Sequence, residues 1–132
     1  MTSRIRPLSA AVVSATAMVV ATALPAHADT YELTNADDGT IKAVVVGDRI
    51  KVTLTADSGT GQRYLWSTIT ASNVLTLERV ESRQTPEGGS TATFEAVGPG
   101  PSDITAFETC TATLPAVCPF VSKTWKVVIN VE

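Results

Sequence analysis

The stretch that decides the fold, residues 40–54, reads TIKAVVVGDRIKVTL. Its first half is rich in β-branched residues, which strands favour, and the Gly47-Asp48 pair supplies turn chemistry. The second half alternates strictly between polar and apolar side chains. The apolar set shares one face and consists of Ile50, Val52 and Leu54. A period of two is typical of a strand with one buried face, so the stretch predicts two strands joined by a turn.

Five further segments on the C-terminal side have the composition of strands. They are residues 63–69, 74–80, 90–96, 103–109 and 123–131. Turn-forming residues separate them, including a rigid Gly98-Pro99-Gly100-Pro101 break. About seven short strands without a convincing helical stretch predict an all-β fold, an immunoglobulin-like β-sandwich of about seven to eight strands. We expect Trp66 and Trp125 to pack in its core.

The N-terminus has the composition of a secretory signal peptide. Two arginines form a positive start, residues 8–24 are apolar with small polar interruptions, and Pro25-Ala26-His27-Ala28 ends in an A-x-A cleavage site. The apolar run is barely long enough to span a membrane and has no positive flank after it, which disfavours a membrane anchor. We therefore predict that residues 1–28 are a signal peptide cleaved after Ala28, and that the mature protein is secreted.

The mature chain, residues 29–132, has a size that forms one domain with one core. Cleavage removes two arginines and no acidic residue, which leaves 8 basic against 13 acidic side chains and a net charge of −5. An acidic domain without a basic cluster disfavours nucleic acid and anionic lipid as partners. We predict a monomer that binds no nucleic acid and, after cleavage, no membrane.

Catalysis is disfavoured by what the mature chain lacks. His27, the only histidine, leaves with the signal peptide, so no Ser-His-Asp triad, Cys-His dyad or imidazole metal ligand can form. The carboxylates show no paired arrangement that indicates acid–base catalysis. Asp37-Asp38-Gly39 lacks the alternating oxygen ligands of a calcium loop and predicts a plain turn. We predict a protein that is not an enzyme and that has no metal site and no cofactor.

The only two cysteines, Cys110 and Cys118, lie eight positions apart. A disulfide persists in the oxidising environment that a signal peptide implies, so we predict that the two are bonded and lock the loop between the last two strands. Closing a loop of about nine residues removes denatured-state entropy worth about 2.5 kcal/mol in the chain-entropy treatment. Oxidation also leaves no free thiolate for catalysis or metal binding.

Three loops between the predicted strands are candidates for function, because rigid strands can hold irregular loops towards a partner. They are residues 57–62, residues 85–90 and the cysteine loop. The first two consist mostly of small and polar residues, and small residues let a loop enter a narrow cleft. The same residue types also form plain connections. In an immunoglobulin-like sandwich the first and third of these loops lie at the same end.

Nearly the whole mature chain resembles the chagasin-type inhibitors of papain-like cysteine peptidases. Residues 46–54 look like that family's second strand with its leading Gly-Asp. Thr60-Gly61 followed by Tyr64-Leu65-Trp66 is similar to its first inhibitory loop, N-P-T-T-G-Y-x-W. Glu87-Gly88-Gly89 is similar to its glycine-rich second loop, and Gly98-Pro99-Gly100 matches the turn into the next strand.

The resemblance implies a secreted inhibitor that fills the cleft of a papain-like cysteine peptidase with three loops from one edge of the sandwich. The first loop would lie over the catalytic cysteine of the peptidase, with Thr60 and Gly61 in that place. The peptidase-binding residues implied in the three loops are Asp57, Ser58, Gly59, Thr60, Gly61, Glu87, Gly88, Gly89, Leu114, Pro115 and Phe120.

The first and third loops depart from the family's pattern. Asp57-Ser58 stands where the family has Asn-Pro, Gln62-Arg63 adds two residues before the aromatic, and the third loop has no Arg-Pro-Trp. The disulfide is either a different rigid contact for a similar cleft or the mark of a sandwich with another partner. The alternative to inhibition is thus a secreted, non-catalytic immunoglobulin-like interaction module that binds a cell-surface, cell-wall or protein ligand.

Overall fold

The computed structural model describes residues 14–17, 28–119 and 122–132. Within these ranges the chain forms ten strands and one short 3-10 helix, Asn35–Asp37. The strands are β1 (Thr30–Leu33), β2 (Ile41–Val44), β3 (Arg49–Leu54), β4 (Ser58–Gly59), β5 (Gln62–Trp66), β6 (Thr70–Ala71), β7 (Leu77–Gln84), β8 (Ser90–Ala96), β9 (Gly100–Ala112) and β10 (Lys123–Val131). The sequence predicts seven of these strands, and β1, β4 and β6 are short additions.

Two sheets enclose the core. One contains β1, β3, β8 and β7 in that order, and the other contains β2, β10, β9, β5 and β4, with β6 paired to β9. The pairs β1–β3 and β2–β10 are parallel, and the other pairs are antiparallel. The N-terminal segment passes from one sheet to the other through the 3-10 helix and so forms an edge of each. The arrangement is an immunoglobulin-like β-sandwich, which confirms the predicted fold class.

The core is built from the inward faces that the alternation predicts. Every second residue is buried on β3, β8 and β10, and the buried positions of β3 are Ile50, Val52 and Leu54. Trp66 and Trp125 are also fully buried, as predicted. Each indole N–H donates to a backbone carbonyl, that of Thr55 at 2.9 Å and that of Thr34 at 3.0 Å respectively. These bonds satisfy the one polar group that each tryptophan brings into the core.

One predicted strand is shifted along the chain. The sequence predicts a strand over residues 74–80, but β7 begins at Leu77. Asn73 explains the shift, because its backbone and side-chain oxygens accept three of the next four backbone N–H groups at 3.0 to 3.2 Å. Val74 and Leu75 therefore form an exposed turn. Their apolar character is typical of a strand start, but the turn chemistry of asparagine determines the local structure.

Strand β9 is longer than predicted at both ends. It begins at Gly100 and includes Pro101, so the predicted Gly-Pro break is shorter by two residues. It continues to Ala112, because pairing with β5 extends that far. With 13 residues it is the longest strand among the described residues and lies between β10 and β5 in its sheet. This length determines where the cysteines lie.

The predicted signal peptide, residues 1–28, lies almost entirely outside the described residues, and so does His27. Cleavage after Ala28 and secretion therefore stay predictions. In the described part of the chain, no helix has the length and apolar character needed to cross a membrane.

Candidate functional site

The three predicted loops lie together at one end of the sandwich. We define the first loop as residues 55–61, the second loop as residues 85–89 and the third loop as residues 113–122, of which the structure describes 113–119 and 122. The first loop leaves β3 beside the point where the second loop enters β8, because the last residue of β3 pairs with the first residue of β8. The first loop enters β5 beside the point where the third loop leaves β9. Strand pairing thus puts the first loop between the other two.

The first loop ends in a tight hairpin. Strand β4 pairs with the start of β5 in antiparallel register, which leaves Thr60 and Gly61 as the two turn residues. Gly61 has a φ of +71°, a left-handed conformation that glycine adopts at low cost. The hairpin therefore holds the exposed Thr60 at the tip of the loop.

A glycine contact joins the second loop to the base of the first. The Trp66 N–H donates to the Gly88 carbonyl at 2.8 Å. A Cβ on Gly88 would collide with the carbonyl oxygen of Tyr64, and a Cβ on Gly89 would lie only 2.7 Å from that of Leu54. Gly88 and Gly89, which the resemblance implies as peptidase-binding, are buried. Their part in the site is to let the second loop pack closely, and they present no surface of their own.

The third loop packs against the tip of the first. The Thr113 N–H donates to the Gly61 carbonyl at 2.9 Å, and the Gln62 side-chain amide donates to the Val117 carbonyl. A Cβ on Gly61 would come within 2.7 Å of the Ala116 side chain, closer than two carbon atoms approach each other in folded proteins. Glycine is therefore required at the tip for packing as well as for backbone conformation.

The disulfide connects the third loop to a central strand. Cys110 and Cys118 are bonded with their Cα atoms 5.8 Å apart, which confirms the predicted pairing. The prediction that both lie in the loop is wrong for Cys110, which belongs to β9 and pairs with Tyr64 of β5. The reason is the continued pairing of β9 with β5 beyond the expected strand end. The bond therefore holds the loop segment around Cys118 against the sheet.

A cluster of three charged residues lies between the first and third loops. Glu108, on β9, is a buried residue that is only 3% exposed, and its Oε2 accepts the backbone N–H of Asp57 at 2.9 Å. The Asp57 carboxylate in turn accepts a bond from Lys123 Nζ at 3.2 Å. Lys123 is the first residue of β10 and pairs with Glu108. These residues line a cleft of about 440 Å³ together with Tyr64, Thr109, Cys110, Pro119 and Ser122.

The two carboxyl groups of the cluster titrate differently. Burial raises the pKa of Glu108, and the hydrogen bond and negative charge of Asp57 add to this effect, which brings the pKa to about 7. The hydrogen bond with Glu108, supported by Lys123, lowers the pKa of Asp57. Between the pKa of Asp57 and that of Glu108 the pair therefore carries one proton, on Glu108, which its side-chain hydrogen bond with Asp57 stabilises.

The arrangement is suited to holding the first loop. Acid–base enzymes also use carboxyl pairs with separated pKa values. Here, however, both groups are engaged, because Glu108 binds the Asp57 backbone and Asp57 binds Lys123. Across residues 14–17, 28–119 and 122–132, no group of three or more His, Cys, Asp and Glu side chains is placed to hold a metal ion.

The exposed surface of this end comes from all three loops. On the first loop, residues 57–61 are exposed, and on the second loop Glu87 is. The third loop presents apolar side chains, those of Leu114, Pro115 and Val117. Phe120, the remaining predicted contact, lies outside the described residues.

Glu108 and Lys123 are site residues that the sequence does not predict. Ile104 and Ala106 define the inward face of β9, and the same alternation turns Glu108 inward. A carboxylate on the buried face of a strand is rare without a partner, and this is the signal that could have identified it. The partner itself leaves no trace in the sequence, because Asp57 lies 51 positions earlier.

The fold and the site define an immunoglobulin-like sandwich with three joined loops at one end. The cysteine protease inhibitor EhICP2 from Entamoeba histolytica has a similar structure, with a TM-score of 0.55 at 14% identity over 81% of this chain and 99% of that chain. PbICP-C, solved in complex with falcipain-2, gives a TM-score of 0.45 at 12% identity over 79% of this chain and 92% of that chain. The solution structure of amebosin gives a TM-score of 0.45 at 16% identity over 79% of this chain and 98% of that chain. No protein-family model and no curated protein matches the sequence. The likeness to EhICP2 shows a shared fold.

Proposed function

We propose that this protein is a secreted, monomeric inhibitor of papain-like cysteine peptidases that blocks the active-site cleft with its three loops. The observation that carries the proposal is the row of loops itself. The second and third loops each bond to the hairpin segment between them, through the Trp66–Gly88 and Thr113–Gly61 backbone bonds. The fold shared with EhICP2, a cysteine protease inhibitor, supports the class of partner.

Rigidity is the physical reason why such an edge can inhibit. A loop that is held in its binding conformation loses little entropy when it enters a cleft, so more of the contact energy becomes affinity. The hairpin, the buried glycines of the second loop and the disulfide of the third loop all hold the edge in place before binding. A rigid loop is also a poor peptidase substrate, because it cannot adopt the extended form that cleavage requires.

The exposed residues divide into a tip and two flanks. Thr60, at the tip of the hairpin, enters the centre of the cleft over the catalytic cysteine. Glu87 lies on one flank and Leu114 on the other, where its side chain is 84% exposed. A large apolar side chain held out by a disulfide-bonded loop is suited to an apolar pocket of a partner. Gly61 acts within the protein, because it supports the contact with the third loop.

Titration of residues 29–132 against papain tests the proposal. We expect inhibition at micromolar concentration or below. Absence of inhibition in this range would contradict the proposal and favour the interaction module that binds another ligand.

Two variants locate the contact. Thr60→Trp enlarges the tip without touching the glycine that packs on the third loop, so the fold is retained and the inhibition constant rises at least about tenfold, or 1.4 kcal/mol. Leu114→Ser removes an apolar contact and weakens inhibition to a smaller extent. The matched control is Leu75→Ser, because Leu75 is 81% exposed in a turn at the opposite end of the sandwich and makes no contact with the peptidase. Equal inhibition constants for Leu114→Ser and Leu75→Ser would remove the third loop from the interface.

A further inference from the structure

We infer that Glu108 is a positioning residue for inhibition: its protonated carboxyl holds the base of the first loop, so inhibition weakens when Glu108 loses its proton. This inference rests on the proposed function and adds a pH dependence to it. Glu108 acts through Asp57 and touches no peptidase itself.

The contacts of Glu108 join the most central strand of its sheet to the inhibitory hairpin. Glu108 is buried on β9, whereas Asp57 directly precedes β4, the first strand of the hairpin. The bond from the Asp57 backbone N–H to Glu108 holds the main chain of the loop itself, at 2.9 Å. A second bond joins the two side chains when Glu108 carries its proton. Residue 57 is thus held at both its backbone and its side chain.

Few charged or titratable groups face Glu108 from the surrounding elements. The first loop contributes the Asp57 carboxylate, β10 contributes the Lys123 ammonium and β5 contributes the Tyr64 hydroxyl, which donates to Gln62 Oε1 at 3.0 Å. The Lys123 ammonium lies 3.2 Å from the Asp57 carboxylate, and its bond is to that group. An ionised Glu108 would therefore face a second negative charge, while Lys123, the cation beside it among the described residues, is already engaged by Asp57.

Deprotonation of Glu108 turns the attraction between the Glu108 and Asp57 side chains into repulsion. The donor between the two side chains disappears, and two carboxylates oppose each other in a partly dry cleft, where their repulsion is strong. Glu108 is held by β9, but Asp57 lies on an exposed loop with about half of its side chain in solvent. Asp57 is the residue that moves, and the hairpin moves with it. Since the pKa of Glu108 is about 7, this change falls close to neutral pH.

Binding and protonation are coupled in both directions. A peptidase that covers the loop end removes water from the cleft and so favours the neutral form of Glu108 further. By linkage, the complex then binds more tightly where Glu108 is already protonated. We expect an inhibition constant that is level below about pH 6 and rises about fivefold between pH 6 and pH 8, towards a limit of about tenfold at higher pH, which corresponds to a difference of about one pKa unit between free and bound protein.

The test compares the mature wild type with two variants against papain from pH 5.5 to 8.5. Glu108→Gln is neutral at every pH, and its amide can accept the Asp57 N–H and donate to the Asp57 carboxylate, so its inhibition constant follows the tight, low-pH behaviour throughout. Asp103→Asn is the matched control, because Asp103 lies on the same strand and pairs with Lys126 of β10 at 3.3 Å, away from the loops. At each pH, the inhibition constant of the wild type is divided by that of the variant, which removes the pH dependence of the peptidase itself. The ratio rises for Glu108→Gln and is level for Asp103→Asn.

A second measurement does not depend on inhibition. The NMR shift of the Asp57 amide in the free protein should titrate near pH 7 in the wild type and in Asp103→Asn, and should be level in Glu108→Gln. Two outcomes overturn the inference and leave the proposed function standing. In one, the protein inhibits papain but the ratio of the wild-type to the Glu108→Gln inhibition constant does not change with pH. In the other, the Asp57 amide of the wild type does not titrate. Absence of inhibition at every pH, with an Asp57 amide that titrates only when Glu108 is present, overturns the proposed function and shows that Glu108 still positions the loop.

Discussion

The two sides of the first loop are built from different chemistry. On the side of the second loop, the contact consists of backbone bonds and buried glycines, chiefly Gly88 against Tyr64 and Trp66. On the side of the third loop, it consists of a disulfide, an ion pair and the buried Glu108. The first side depends on shape alone, whereas the second depends on pH and on oxidation. The hairpin of the first loop is therefore held on one side by close packing and on the other by titratable and oxidisable groups.

Two amides report on these sides separately. The backbone N–H of Trp66 donates to Gly88 of the second loop. The backbone N–H of Thr113, in the third loop, donates to Gly61 of the first loop. Hydrogen exchange at these positions measures how often each contact opens. A change confined to one of them shows that the two sides are independent.

The largest effect is expected on the side of the second loop. Gly88→Ala places a Cβ against the Tyr64 carbonyl at a φ of +90°, so the free energy of unfolding should fall by more than about 3 kcal/mol. Gly39→Ala is the matched control, because its φ is +78° but nothing lies near the added Cβ, and its cost should be about 1 kcal/mol. Urea denaturation measures both. Equal losses would mean that the close approach of the second loop contributes nothing.

Removal of the disulfide should have the next largest effect. The double variant Cys110→Ser, Cys118→Ser should lose about 2.5 kcal/mol of unfolding free energy, since the denatured chain regains loop entropy. Exchange of the Thr113 amide should accelerate more than this global loss explains, whereas exchange of the Trp66 amide should follow global stability alone. Extra acceleration at both amides would show that the two sides open together.

The pH dependence of stability should be comparable in size to the disulfide effect and should have a definite sign. The pKa of Glu108 is raised from its ordinary value of 4.5 to about 7, so the folded protein binds more protons than the unfolded chain between these values and stability falls as pH rises through this window. Glu108→Gln removes this loss. It should be more stable than the wild type by about 3 kcal/mol at pH 8 and equally stable below about pH 4. Asp57, whose pKa is lowered from 3.8, contributes stability that is lost only at more acidic pH.

The smallest effect should come from the exposed ion pair. Lys123→Gln should change the free energy of unfolding by about 0.5 kcal/mol or less, because about half of each partner's side chain is in solvent. The same substitution at Lys126, which pairs with Asp103 at the surface of the same two strands, should cost a similar amount. The two differ in their effect on the cluster, since Lys123 lowers the pKa of Glu108. Only Lys123→Gln should move the Asp57 amide titration to higher pH.

The features that the sequence predicts correctly depend on short-range patterns. The alternation of β3 and β10 assigns the inward faces, because side chains of a strand point to opposite sides in turn. The chain has only two cysteines, so within it they can bond only to each other. The misplacement of β7 is also a local matter, in which an asparagine turn outweighs an apolar run. From such signals follow the fold class, the two core tryptophans and the disulfide.

By itself, then, the sequence determined the sandwich, its core and the three candidate loops, since period-two alternation and turn residues act between near neighbours. Only the tertiary structure decided what holds those loops together. Gly88 is needed because Tyr64 approaches it, Cys110 lies in a strand because β5 pairs that far, and Glu108 keeps its proton because it is buried with Asp57 beside it. Each of these contacts joins residues that are distant in the chain. Steric contact, strand pairing and desolvation between such residues arise only once the two sheets have packed together.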